Sequence, residues 1–265
     1  MLTFYVSYQY GSLLDEEGKP LKWNLIVNHL NAKIQEIKEK TNSDSYHLYI
    51  TGDNNFRKKE ATIKPYKGNR KDVEKPHAYE RVKGYLSSGN AHPVTVTDWY
   101  EADDALSIEQ YSTAVANGIG GLDGCWEDTV ICSNDKDLKM IPGYHYGWSV
   151  SDRIKEKPLY FVSEEQGWIW FFTQLLTGDP TDNIPGLYRV GPSNAKKLLE
   201  GLTEPLSLYS KVQGEYEARF GSYWRMFMHE NARLLWMLRS EDDDIRETLD
   251  EFENQRNKED DEVPF

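Results

Sequence analysis

Four acidic clusters, widely separated along a 265-residue chain, carry the side chains best suited to holding a hard metal ion: Thr51-Gly52-Asp53, Glu101-Ala102-Asp103-Asp104, Asn134-Asp135-Lys136-Asp137 and Gly178-Asp179-Pro180-Thr181-Asp182. Magnesium prefers carboxylate and water oxygen, and is usually held by a few carboxylates plus substrate phosphate. Two such ions roughly 3.5–4 Å apart orient an attacking water and stabilise the leaving oxygen in line, which is how many phosphodiesters are cut. The eight carboxylates of Asp53, Glu101, Asp103, Asp104, Asp135, Asp137, Asp179 and Asp182 suffice for such a pair. Taken singly, each cluster reads more readily as a helix cap, a turn or a solvated face. Their setting favours chemistry.

That setting is an α/β framework. Trp23, Ile26, Val27, Leu30, Ile34 and Ile37 recur at helical spacing, which predicts an amphipathic helix over residues 21–40. Tyr46 to Thr51 is short, β-branched and aromatic, and reads as a strand delivering Asp53; Thr129 to Ser133 does the same for Asp135. Sites in parallel α/β sheets lie at the carboxyl ends of strands, where both acids fall. Glu101 opens a predicted helix, on which Glu101 and Asp104 share a face. Like charges packed there without a cation are costly. Residues 166–199 read as helix, Gly-Pro-rich turn and helix, residues 206–239 as aromatic-rich helix, and the last 25 as a charged tail, partly helical or disordered. The resulting division is an α/β domain over 1–160, a helical region over 161–240 and an acidic tail over 241–265.

Composition bounds the partners. The net charge of −13 runs against phosphate binding at first sight, but residues 241–265 alone hold 12 acidic and 3 basic residues. Residues 57–85 hold ten basic residues against four acidic ones, with Phe56, Tyr66, Tyr79 and Tyr85 interleaved as faces on which bases can stack. A solvated loop and helix face is the alternative. A second phosphate-facing element runs from Asn183 to Leu199: a glycine-containing turn lets backbone N–H groups approach phosphate, and a helix opens near Pro192-Ser193. The aromatic groups around Trp168 to Phe172 and Tyr223 to Met237 read as packing. Cys125 and Cys132 form neither a disulfide framework nor a zinc site, and the six histidines make no ligand or triad pair by spacing. With no apolar run of bilayer length, the chain reads as soluble and cytoplasmic, in the host cell if viral.

Four motifs in order give a specific resemblance: Tyr66-Lys67-Gly68-Asn69-Arg70, Glu101-Ala102-Asp103-Asp104, Ser133-Asn134-Asp135-Lys136-Asp137-Leu138, and Gly178-Asp179-Pro180-Thr181-Asp182-Asn183-Ile184-Pro185-Gly186. Over roughly residues 3–200 the chain resembles the flap-endonuclease and 5′-3′ exonuclease superfamily, and most of all the short exonucleases of tailed bacteriophages. The resemblance implies a PIN-like parallel sheet with flanking helices, a basic arch over about residues 54–90, and a helix-hairpin-helix type DNA-binding element over about 182–200. It implies two Mg²⁺ ions, replaceable by Mn²⁺, one held by Asp53, Glu101, Asp103 and Asp104 and the other by Asp135, Asp137, Asp179 and Asp182. Lys67 and Arg70 would contact the scissile phosphate; Gly186, Arg189, Gly191, Ser193, Lys196 and Lys197 would bind DNA, with K⁺ at the turn. The implied activity is 5′-3′ exonuclease and flap-endonuclease hydrolysis of DNA with 5′ ends or flaps, and of RNA primers in RNA–DNA hybrids, during phage replication alongside other replication proteins.

Two departures from the family stand out. Its members carry an aspartate at the end of their first strand, just before an apolar and aromatic stretch resembling Leu2-Thr3-Phe4-Tyr5-Val6; the sequence begins at Met1, so either its recorded start is a few residues late or the protein lacks that ligand. A position usually glycine in the family's turn is Arg189. Two other functions stay open: a non-catalytic DNA-junction binder that kept the fold and lost a metal ligand, and a ribonuclease of the related PIN-like fold, which shares the acidic site.

Overall fold

The computed structural model describes residues 19, 21–70, 74–116, 126–152 and 154–262. Leu2 to Val6, Lys71 and Cys125 lie outside them. In chain order the helices and strands are α1 (Trp23–Thr41), β1 (Leu48–Thr51), α2 (Phe56–Glu60), α3 (Tyr79–Ser87), β2 (Val94–Thr97), α4 (Ala102–Ala116), β3 (Val130–Cys132), β4 (Gly143–Gly147) and β5 (Lys157–Val162). They continue with α5 (Glu164–Thr177), β6 (Gly178–Asp179), β7 (Ile184–Pro185), α6 (Pro192–Leu198), α7 (Pro205–Phe220), α8 (Trp224–Leu235) and α9 (Ile245–Glu262). Two compact units emerge: Met1–Asn54, Val73–Leu138 and Gly143–Phe161 make the first, and Asn55–Asp72, Lys139–Pro142 and Val162–Phe265 the second.

The first unit is α/β. β1 pairs with β2 in parallel, Leu48 opposite Val94 through Thr51 opposite Thr97, and β3 pairs in parallel with β4 in the strand order β3-β4-β5. The periodicity of α1 lays Ile26, Leu30 and Ile34 on one buried stripe, against Ile50, Val82, Leu86, Tyr146 and Trp148. Burying such side chains contributes about 1.5–3 kcal/mol each, which fixes α1 and α3 on the strands. α1 stops at Asn42, whose left-handed φ of 52° lets the backbone N–H groups of Asn42 and Ser43 satisfy last-turn carbonyls.

The second unit is mainly helical. α5 starts with a reciprocal capping box between Ser163 and Gln166 and buries Phe171, Phe172, Leu175 and Leu176. Trp168 stacks on Trp236 at 5.3 Å, and Tyr216 donates to the Leu175 carbonyl at 2.7 Å. Tyr223, by contrast, is 67% exposed. Residues Ile245–Glu262 of the acidic tail form the helix α9: Ile245 and Leu249 are fully buried, Phe252 packs on Trp168, and Arg225 of α8 bonds Asp250 at 2.5 Å. Its apolar stripe, three residues apart and more, was hidden in sequence by the surrounding acids. Among the described residues, no helix is long and apolar enough to cross a membrane.

Candidate functional site

In the first unit, the carboxylates sit where the parallel strands end. Thr51 closes β1, and Gly52 donates to the Thr97 carbonyl at 3.0 Å; a Cβ at Gly52 would lie 2.3 Å from that oxygen. Only glycine allows the approach, and the next residue is the exposed Asp53. Its neighbour Asn54 bonds the Asp98 carboxylate at 2.7 Å, tying this loop to the one after β2. The Thr51 hydroxyl accepts from the Ala102 N–H at 2.9 Å, holding the start of α4 to the end of β1. At that start, Asp104 accepts from the Glu101 N–H at 2.9 Å. Both are buried, so Asp104 caps the helix while adding charge.

After β3 the loop is shaped by side-chain acceptors. Ser133 accepts from the Asp135 N–H and Asp135 from the Asp137 N–H, each at 3.1 Å, and Asn134 donates to the Trp148 carbonyl at 2.9 Å. Asp135 and Asp137 are thereby held together, half-buried, with Lys136 3.4 Å from Asp137.

In the second unit, the Asp179-to-Gly186 segment is a tight hairpin. One carboxylate oxygen of Asp179 lies within 4.8 Å of one of Asp182, and both residues are buried. Asp182 accepts from Arg70 at 2.5 Å and from the Tyr66 hydroxyl at 2.7 Å, with the Lys67 ammonium 3.7 Å away. Three bonds to backbone carbonyls fix this docking: Lys67 N–H to the Asp182 carbonyl at 2.9 Å, Asn69 Nδ2 to Pro180 O at 2.7 Å, and Asn183 Nδ2 to Pro65 O at 2.9 Å. Lys67 and Asn183 both take left-handed φ values, 54° and 63°. These two loops over-determine each other, which is the condition for such backbone to persist. An oxygen-only pair of buried aspartates fits a hard divalent cation; Lys67 and Arg70 supply positive charge opposite Asp182.

The turn after this hairpin carries the remaining candidates. Leu187, Val190, Ala195 and Leu199 are buried, while Arg189, Gly191, Ser193, Lys196 and Lys197 are exposed. Val190 donates to the Leu187 carbonyl at 3.0 Å, and Arg189 has φ of 63°. The third residue of a type II turn needs a positive φ, which explains the family's glycine there. Arg189 keeps that backbone, its carbonyl held by Asn194 Nδ2 at 3.0 Å and its guanidinium 5.0 Å from the Tyr188 ring centre. Gly186 has a packing duty: a Cβ would lie 2.1 Å from the Thr177 carbonyl carbon and 2.5 Å from the Gly178 nitrogen.

The basic stretch needs correction in part. Phe56 and Tyr66 are buried and present no face to a nucleobase. Arg57 is fully buried and donates to the carbonyls of Leu234 at 2.9 Å and Trp236 at 2.5 Å. Lys75 pairs with Glu80 at 2.7 Å, and Arg81 lies 4.2 Å over the Trp23 ring. Sequence reasoning missed the roles of Tyr66, Asn69, Asn183 and Thr51 as positioners. Their presence inside the quoted motifs was the available signal for the first three.

No protein-family model matches the chain. The Exonuclease of Escherichia phage T7 is 28% identical over 191 residues, which cover 71% of this chain and 58% of that protein. DNA polymerase I of Rhizobium leguminosarum is 31% identical over 115 residues, 41% of this chain and 10% of the polymerase. The chain thus spans little more than half of the phage exonuclease and a tenth of the polymerase. Among solved structures, the T5 D15 protein co-crystallised with metal ions superposes with a TM-score of 0.59 at 13% identity, over 96% of each chain. The bacteriophage T5 D15 flap endonuclease, in a pseudo-enzyme-product complex with DNA and metal ions, gives 0.53 at 14% identity over 87% of this chain and 89% of that one. The chain thus shares the fold of the T5 D15 protein over nearly its whole length, and 71% of it is similar in sequence to the T7 exonuclease.

Proposed function

We propose that this protein is a divalent-metal-dependent 5′-3′ exonuclease and flap endonuclease that hydrolyses DNA, and RNA primers in RNA–DNA hybrids, in phage DNA replication. The observation that carries the reading is the buried Asp179–Asp182 pair with Arg70 and Lys67 gathered on Asp182. The two buried acids offer oxygen ligands to a hard cation, and the two cations gathered on Asp182 offer positive charge to a phosphate.

In this reading Asp53, Glu101, Asp103 and Asp104 would hold one Mg²⁺, and Asp135, Asp137, Asp179 and Asp182 would hold the second. When bound, such ions lower the pKa of coordinated water and neutralise phosphate charge. The protein's own part is positional. Arg70 and Lys67 turn from Asp182 to the scissile phosphate and stabilise the charge that grows on its oxygens. Tyr66 and the backbone bonds to Asp182 keep that carboxylate in place while its cations are engaged elsewhere. Arg189, Ser193, Lys196 and Lys197 contact duplex phosphates away from the cut, a contact indifferent to base sequence. A potassium ion at the turn would be held by backbone carbonyl oxygens of residues 186–191.

The test is Asp135→Ala and Asp103→Ala, assayed on a 5′-labelled flap substrate. Each is expected to abolish cleavage in Mg²⁺ and to leave flap binding in Ca²⁺ intact, since the phosphate contacts remain. Cleavage at the wild-type rate by either variant overturns the ligand assignment.

A further inference from the structure

We infer that Thr51 is a positioning residue for metal binding: its hydroxyl fixes where the chain carrying Asp53 stands relative to the acids at the start of α4, and thereby sets the affinity for the ion they would share. The inference rests on the ligand assignment proposed above. It starts from an obligation of the backbone. A helix leaves its first four N–H groups without partners of its own, and each must be satisfied from elsewhere. Ser, Thr, Asp and Asn are the residues favoured to do so from the position before a helix, which in α4 is held by Glu101. The Ala102 N–H is satisfied from another element instead, by the Thr51 hydroxyl at 2.9 Å, while the Asp104 carboxylate accepts from the Glu101 N–H at 2.9 Å.

The place of this bond in the chain gives it leverage. Thr51 closes β1 two residues before Asp53, and Ala102 opens α4 between Glu101 and Asp103. One bond therefore joins the two segments that carry Asp53, Glu101, Asp103 and Asp104. The junction is stiffened by Thr97, the partner of Thr51 in the β1–β2 ladder. Thr97 is 3% exposed, its hydroxyl donates to the Tyr100 carbonyl at 2.8 Å, and its carbonyl accepts from the Gly52 N–H at 3.0 Å. Two threonines at one rung of the ladder thus hold the chain entering α4, Thr97 at Tyr100 and Thr51 at Ala102. Magnesium tolerates little slack, since it demands near-ideal octahedral geometry from its oxygens. Groups that orient ligands without touching the ion typically cost about 10–100-fold in metal affinity when removed. Thr51 belongs at the lower end of that range, because the Thr97 and Asp104 bonds remain without it.

The experiment uses the full chain and measures Mn²⁺ binding by electron paramagnetic resonance in the absence of DNA. Thr51→Val keeps the branched shape that suits a strand and removes the acceptor; Thr51→Ser keeps the hydroxyl. Asp103→Ala marks which ion belongs to this set of acids. Thr95→Val removes the 2.8 Å bond between β2 and His47, just before β1, and so controls for a general loosening of the two strands. Thr51→Val is expected to weaken the ion that Asp103→Ala releases about tenfold, with Thr51→Ser within about threefold of wild type and Thr95→Val equal to it. On flap DNA, Thr51→Val should need about tenfold more Mg²⁺ for its half-maximal rate and approach the wild-type rate at saturation. Wild-type Mn²⁺ affinity in Thr51→Val, equal weakening in Thr51→Ser, or the same loss in Thr95→Val would each overturn the inference. If Asp103→Ala keeps every ion that the wild type binds, the ligand assignment falls and the inference falls with it. If Asp103→Ala loses an ion that Thr51→Val holds as tightly as wild type, the inference alone falls.

Discussion

Replacing Arg57 by Met should damage the second unit and leave DNA contact untouched, although Arg57 belongs to the most basic stretch of the sequence. Its guanidinium is fully buried and donates to the carbonyls of Leu234 and Trp236, at and just beyond the last turn of α8. Those are oxygens that a helix end leaves without partners, and they carry the negative end of its dipole. Hydrogen bonds from a charged donor contribute about 1.5–3 kcal/mol each, and a buried carbonyl left unsatisfied costs about 1–3 kcal/mol. Methionine fills most of the volume, so cavity terms are small. Two lost bonds then amount to roughly 3–6 kcal/mol, which for a chain of this size lowers the melting temperature by on the order of 10 °C. Urea unfolding should show the same loss through the midpoint at constant slope. The slope of log affinity for DNA against log salt should stay at the wild-type value, since no phosphate contact is removed. A destabilisation below about 1 kcal/mol, or a salt slope smaller by one contact, would refute the assignment.

Lys67→Ala and Arg70→Ala should each slow single-turnover cleavage about a hundredfold while weakening binding far less, because their charge matters most where negative charge grows; a loss confined to affinity would reduce both to general contacts. Arg189→Gly should raise the melting temperature by about 1–3 °C, by relieving left-handed strain worth roughly 1 kcal/mol. The same change should lower the DNA salt slope by about one, and a melting temperature that falls, or an unchanged slope, counts against that reading. Burial holds the His92 and His229 pKa values below the ordinary 6.5, outweighing for His229 the pull of Asp250. A depressed histidine contributes stability that is present above pH 6.5 and is lost as pH falls through the folded value. Melting temperatures measured from pH 7.5 to 5.5 should therefore drop, with His229→Gln showing a shallower decline than wild type.

What the sequence reveals follows the range of the forces involved. Asp53 and Asp135 were legible because a local apolar run and a following turn announce a strand end, and α1 because its stripe repeats within one helix. Arg57 and Phe56 were misread because their partners lie far along the chain, 177 residues on for the Arg57–Leu234 bond. Charge and aromaticity suggest solvent or ligand until packing is known. Tyr66 was misread for the same reason, its partner Asp182 being 116 residues away. The α9 stripe was masked by its own charge, with Ile245 and Leu249 set among acids.

The crossing of Gly178 and Gly186 bears on how such motifs should be read in other genomes. A side chain at either glycine would collide with backbone, the Gly178 Cβ lying 2.2 Å from the Gly186 nitrogen, and backbone cannot rotate away as a side-chain tip can. Selection on folding alone is therefore enough to preserve both glycines, whatever becomes of catalysis. A descendant that had lost Asp179 and Asp182 would still display the glycines of Gly178-Asp179-Pro180-Thr181-Asp182-Asn183-Ile184-Pro185-Gly186 at their spacing. On the ligand assignment proposed above, the glycines in a survey of homologues would count the folded copies, and only the acids between them would count the copies still under selection to cut.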